Sequence, residues 1–177
     1  RKLRIGQKLV QSEIDRMLSE DEGEIIRRKA LEMLGLRPMA ESEMKKKLQE
    51  KGFDPERVEQ AIEALKAHDL MDDQLFSAQW VENRQSLHPR SRRMIGYELR
   101  QKGVAEEIIH DSLQDVDDDQ TAFDLAFRYS KRLVNLDWQT FRKRLGGYLA
   151  RKGYGFETID KITRRTWAEI NESDENR

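Results

Sequence analysis

The sequence predicts an all-α protein: three tandem three-helix repeats in an elongated, curved array, with a short N-terminal helical extension. Three observations lead there. A nine-residue pattern ending in Lys-Gly occurs three times, at Met44–Gly52, Ile95–Gly103 and Leu145–Gly153, each with an apolar residue eight and four places before the glycine. That spacing puts both apolar residues on one helical face. The glycines lie 51 and 50 positions apart, a period typical of helical solenoid units. Finally, 38% of the residues are charged and only 3 are proline, a composition that suits exposed helices.

Each glycine reads as a helix stop. Glycine reaches positive φ without steric penalty, and the lysine before it sits favourably at the negative end of the helix dipole. A second apolar stripe follows each stop: Val58, Ile62 and Leu65; then Ile108, Ile109 and Leu113; then Ile159, Ile162 and Trp167. A further helix precedes each pair, carrying Leu31 and Leu34, then Phe76, Trp80 and Val81, then Phe123, Phe127 and Leu133.

Taken in order, residues 1–8 begin without a methionine and read as the end of something longer. A short amphipathic helix is expected over Val10–Ser19, followed by an acidic turn at Glu20–Glu24. The first repeat then places helices near 24–35, 41–51 and 55–68, with Asp54-Pro55 as cap and first helical residue. Asp72 and Asp73 cap a helix near 74–87, His88-Pro89 breaks it, and Arg90–Lys102 and Val104–Leu113 complete the second repeat. Asp117, Asp118 and Asp119 cap a helix near 119–134, Asp137 opens one that ends at Lys152, and Phe156–Ile170 is the last. The domain reading is an extension at 1–23, repeats at 24–71, 72–116 and 117–171, and a frayed tail at 172–177.

Composition excludes several classes. With no cysteine there are no disulfides and no thiolate metal sites, and a reducing cytoplasm is the expected compartment. No apolar run approaches the length that crosses a bilayer. No glycine-rich loop followed by Lys-Ser or Lys-Thr offers a nucleotide cradle. His68, His88 and His110 stand on different elements, so no metal is expected. Ser42 and Ser91 have no histidine beside them for activation, and no catalytic residue or cofactor is assigned. Trp80, Trp138 and Trp167 read as packing residues.

The net charge of −1 conceals a patchwork. Glu41–Asp73 carries 6 basic and 10 acidic side chains, and Val104–Asp119 carries 7 acidic and no basic ones. Arg84–Gly103 has six basic residues against Glu98 alone, and Gln120–Trp167 has eleven against four acidic. Basic character therefore gathers in the second and third repeats. Arg92-Arg93 and Arg142-Lys143 stand eleven and ten places before their glycines, where the first repeat has Glu41 and Ser42. Arg144, Tyr148, Arg151 and Lys152 lie on adjacent turns, so Tyr148 either stacks on an unpaired base or joins the core. Lys45, Lys46, Lys47 and Lys51 alternate with glutamates and read as a solvated face.

The stretch Arg37-Pro38-Met39-Ala40-Glu41-Ser42-Glu43-Met44, continuing to Leu48 and Lys51-Gly52-Phe53, resembles the RecX family. So does Leu70-Met71-Asp72-Asp73 followed by Phe76, Val81 and Arg84, then Leu99 and Lys102-Gly103-Val104. The resemblance covers roughly residues 30–165, and Leu3–Leu9 is similar to the linker after an N-terminal extension in longer members. Two departures are local: Asp69 stands where the family's turn leads one to expect glycine, and His88-Pro89 replaces a more glycine-rich approach to the basic helix.

What the resemblance implies is non-enzymatic work. A RecX-like protein is expected to bind the RecA recombinase and its filament on single-stranded DNA, lying in the filament groove. It would restrain strand exchange, ATP hydrolysis, coprotease activity and filament growth, in recombination, DNA repair and the SOS response. A monomer is expected, with weak affinity for duplex DNA and none for membranes. The candidate RecA- or DNA-binding residues are Arg90, Arg92, Arg93, Arg100, Arg142, Lys143, Arg144, Tyr148, Arg151 and Lys152. The alternative is a sequence-specific DNA-binding regulator that uses Arg90–Lys102 as a recognition helix, and a third option is a purely structural helical adaptor.

Overall fold

The structure, a computed structural model, describes residues 10–175 and is helical wherever it is regular. The expected linker at Leu3–Leu9 lies outside the described residues. The helices are α1 (Gln11–Leu36), α2 (Glu41–Gln49), α3 (Pro55–Ala67), α4 (Asp73–Ser86), α5 (Arg92–Gln101), α6 (Glu106–Ser112), α7 (Asp118–Ser130), α8 (Trp138–Arg151) and α9 (Phe156–Glu175). They fall into two compact units, Arg1–Asp73 and Gln74–Arg177.

The three Lys-Gly stops share one backbone geometry. Gly52, Gly103 and Gly153 have φ of 90°, 76° and 96°. The N–H of each donates to the carbonyl three residues back, on Gln49, Arg100 and Ala150. The next N–H, of Phe53, Val104 and Tyr154, reaches the carbonyl of Leu48, Leu99 and Leu149. This is the Schellman closure, which satisfies the orphan carbonyls and sets an apolar residue after the glycine over the leucine four places before it. A local rule thus ends α2, α5 and α8, and the following helix starts within a few residues.

In the first unit the core is Ile26, Ala30 and Met33 of α1 packed on Met44 and Leu48 of α2 and on Val58, Ala61, Ile62 and Leu65 of α3. Leu31, expected on the buried stripe, is instead 45% exposed. In the second unit Phe76, Val81, Ile95, Leu99, Ile109 and Leu113 are buried in the second repeat. The third repeat buries Ala122, Leu125, Ala126, Phe141, Leu145, Leu149 and Ile162, with Trp138 and Trp167 packed against them. Phe127, also expected inside, is 40% exposed. Alanines line this face of α7 and let α8 and α9 approach, so the core takes Phe123 at its edge and leaves Phe127 outside.

Several boundaries differ from expectation. The turn expected at Glu20–Glu24 does not form, and α1 runs through it. Glutamates favour helix, and the roughly 1 kcal/mol that one internal glycine costs is too little to break a helix secured by tertiary packing. Helix α5 starts at Arg92 rather than Arg90, because the Ser91 hydroxyl caps it by accepting the Met94 N–H at 3.2 Å. Helix α7 stops at Ser130, short of 134, and Asn135 takes φ 67° in the turn to α8. Helix α9 continues past Ile170 to Glu175, with the Asn171 amide donating to the Trp167 carbonyl at 2.9 Å. Residues 176–177 are outside the described residues. Asp69 has φ 55°, so the position where glycine was expected does require left-handed backbone, and an aspartate bears it.

Inside the second unit, the second and third repeats are sewn together at the N-terminus of α5. The Ser91 N–H donates to the Lys152 carbonyl at 3.0 Å. The Arg92 N–H donates to the Asp118 carboxylate at 2.6 Å, and the Arg93 guanidinium donates to the Gly153 carbonyl at 3.2 Å. Asp117 alone caps α7, accepting from Asp119 and Gln120; Asp118 faces back to α5 and Asp119 pairs with Lys161. In the first unit the Asp73 carboxylate likewise accepts the Glu41 N–H of α2, at 2.8 Å. Burial raises both carboxyls, Asp73 and Asp118, above the usual carboxylate range.

Candidate functional site

The ten candidate residues divide by what holds them. On and around α5 the cations are engaged within the protein. Arg93 is tied to the Gly153 carbonyl. Arg100 pairs with Glu106 through contacts of 2.5 and 2.9 Å, which holds the Glu106 carboxyl below its usual range. Arg90 lies 3.7 Å from Glu98, whose other oxygen accepts from Arg84 at 2.6 Å and from the Trp80 indole N–H at 2.9 Å. Lys102, in the same cluster, sits 4.4 Å from the centre of the Trp80 ring, with the Arg84 guanidinium 4.3 Å from it. Arg92 is half-buried, its backbone N–H on Asp118. Trp80 is therefore a node of the α4–α5 contact, more polar than a plain core residue.

On α8 the picture differs. Arg142 reaches Asp160 of α9 at 3.0 Å, and Arg164 reaches the other oxygen of Asp160 at 2.8 Å. These two cations, Arg164 foremost, hold the Asp160 carboxyl below its usual range. Lys152 lies 5.7 Å from the centre of the Tyr148 ring, and burial, aided by the Arg90 charge, lowers its pKa. Tyr148 itself is stacked on Tyr129 of α7, with ring centres 3.9 Å apart and planes 8° from parallel, so one of its faces is occupied. Lys143, Arg144 and Arg151 are exposed, with no ion pair among the described residues.

These three line a shallow depression with Tyr129, Gln139, Thr140 and Gly147. A second depression shares Gln139, Lys143 and Gly147 with it and continues over Trp138, Gly146, Phe156 and Thr163. Sequence reasoning missed Phe156, which is 80% exposed at the start of α9. Standing three residues before Ile159, it shares the spacing of the α9 apolar stripe, so the sequence held no signal that it would be exposed.

Elsewhere, the carboxylates of Glu41, Glu59 and Glu63 converge closely enough to hold a cation. Their charge is already met by lysines: Lys45 is 2.6 Å from Glu41 and 2.8 Å from Glu59, and Lys66 is 3.1 Å from Glu41 and 2.9 Å from Glu63. Among the described residues no helix is long and apolar enough to cross a membrane.

Family models describing the first, second and third three-helix domains of RecX match residues 27–65, 72–113 and 117–163. The chain belongs to the RecX family. It is 32% identical over 159 residues to the regulatory protein RecX of Clostridium perfringens (strain SM101), covering 86% of this chain and 74% of that protein. With the RecX of Amycolatopsis mediterranei (strain U-32) it shares 36% identity over 126 residues, 70% of this chain and 72% of the relative. A crystal structure of regulatory protein RecX superimposes with a TM-score of 0.75 at 25% identity, over 92% of this chain and 83% of that one. The RecX crystal structure from Lactobacillus salivarius shares the fold, with a TM-score of 0.71 at 20% identity over 83% and 97%. Each matched span takes in one Schellman-closed helix pair and helical residues before it.

Proposed function

We propose that this chain is a non-enzymatic regulator that binds the RecA recombinase and its filament on single-stranded DNA and restrains strand exchange, ATP hydrolysis and coprotease activity. Membership of the RecX family, whose relatives are named regulatory proteins, supports the reading. The observation that carries it at the level of residues is the set of exposed cations Lys143, Arg144 and Arg151 on one stretch of α8, without an ion pair among the described residues. Such a surface suits an anionic partner, acidic protein or nucleic-acid phosphate. The chain works in this reading as a cytoplasmic monomer without cofactor, meeting duplex DNA only weakly.

The recognition-helix alternative has less to draw on. A groove-reading helix needs free side chains, whereas Arg90, Arg93, Arg100 and Lys102 are all occupied within the second unit. The direct test is RecA-driven ATP hydrolysis on single-stranded DNA together with pull-down of RecA. Suppressed turnover and co-purification are expected; unchanged turnover and no binding at excess protein would reject the reading.

A further inference from the structure

We propose that the exposed face of α8, continued over Phe156, is a track for single-stranded nucleic acid: Lys143, Arg144 and Arg151 hold its phosphates and Phe156 receives a base. This deepens the function proposed above by assigning the nucleic-acid contact to the third repeat, and it rests on that reading only for its biological setting.

Three features argue for it. First, the track is cationic without compensation. The first depression has no carboxylate among its lining residues, and the single one in the second, Asp160, is committed to Arg142 and Arg164. Second, the two depressions meet at Lys143 and Gly147, so a chain-like ligand can pass from the cations to the aromatic end without crossing an acidic barrier. Third, the far end offers a flat aromatic surface. Phe156 is 80% exposed, and Trp138 lines the same depression.

Alternating phosphates and flat bases match cations beside an aromatic platform, the arrangement by which proteins hold single strands without reading sequence. A duplex keeps its bases stacked inside and cannot offer one to Phe156. An acidic protein surface could meet the cations but offers no flat ring to Phe156.

The test is fluorescence anisotropy of a labelled oligothymidylate across a salt series. The chain itself is expected to bind, and more tightly than it binds duplex of the same length. Combined Lys143→Ala, Arg144→Ala and Arg151→Ala should lower the slope of log affinity against log salt by about 2, since each single-strand phosphate contact contributes about 0.7. Phe156→Ala should weaken binding roughly tenfold or more with the slope unchanged. Arg27→Ala, at a first-repeat cation already held by Glu24, should change neither. Circular dichroism establishes that each variant is folded.

No oligothymidylate binding by the chain overturns the proposal, as does an unaltered slope in the triple variant. Loss of DNA-free RecA pull-down by a triple variant that still binds oligothymidylate would assign the face to protein and also overturn it. If the triple variant loses oligothymidylate while the parent chain leaves RecA turnover untouched, the track stands and the regulatory function falls.

Discussion

The Asp118 carboxylate accepts the backbone N–H of Arg92 at 2.6 Å, so the first residue of α7 in the third repeat satisfies the first residue of α5 in the second. An N–H at a helix start has no partner within its own helix, and an anion there also meets the positive end of the dipole. Asp73 does the same for Glu41. Asp118→Ala is therefore expected to cost about 1–2 kcal/mol in urea unfolding, and Asp118→Asn clearly less because an acceptor remains.

The same residue gives a pH signature. Burial places the folded Asp118 pKa above its unfolded value, so the folded state takes up a proton more readily. Its contribution to stability weakens as pH rises from the ordinary carboxylate range through the raised folded value. Relative to Asp118→Asn, the parent chain should gain stability as pH is lowered through that window, measured as paired urea midpoints.

Gly153 and Gly52 occupy equivalent positions with different surroundings. A Cβ on Gly153 would lie 2.6 Å from the Ser91 hydroxyl oxygen and 2.7 Å from the Met94 Cβ, while one on Gly52 meets nothing within 4 Å. Gly52→Ala then costs only the left-handed backbone, about 1 kcal/mol, whereas Gly153→Ala adds a clash across the repeat seam and should cost about 3 kcal/mol or more. Thermal unfolding of the two variants checks the ranking.

Glu98 and Glu106 each pair with an arginine, yet only Glu98 is enclosed. It accepts from Arg84 and from the Trp80 indole, with the Arg84 and Glu98 side chains 19% and 21% exposed. Glu98→Ala leaves both donors without their partner and should cost about 2–3 kcal/mol, whereas Glu106→Ala, at a solvated pair, should be nearly silent. Urea unfolding of the two variants checks the ranking.

Asp69 holds φ 55° in the turn before α4. Asp69→Gly should stabilise by up to about 1 kcal/mol, and Asp69→Val should destabilise by about 1–2 kcal/mol, because a branched Cβ resists that conformation. Chemical denaturation of the two variants gives opposite shifts if the turn is as described.

Helix ends and the repeat were legible in the chain because their causes are local. A glycine at the stop, an Asp-Pro at the start and an apolar residue every third or fourth place act over one or two turns, so Gly52, Asp54 and Leu48 declare themselves without knowledge of the rest. Where local signals are weak, sequence and structure part: one glycine in an acidic stretch suggests a break in α1 that does not form, and Leu31 and Phe127 are exposed because Ile26, Ala30 and Met33 on α1 and Ala122, Leu125 and Ala126 on α7 take the buried positions.

The candidate site was legible only as charge. By sequence Arg93 and Lys143 are the same residue in two repeats, ten places before their glycines. Folding separates them: Arg93 meets a carbonyl sixty positions away, while Lys143 has no ion pair among the described residues. Electrostatic pairing depends on distances of a few ångströms between segments far apart in the chain, and no count of charges contains those distances. The sequence by itself determined the helices, their stops and their threefold repetition; tertiary structure decided which cations bind the repeats together and which are left facing outward.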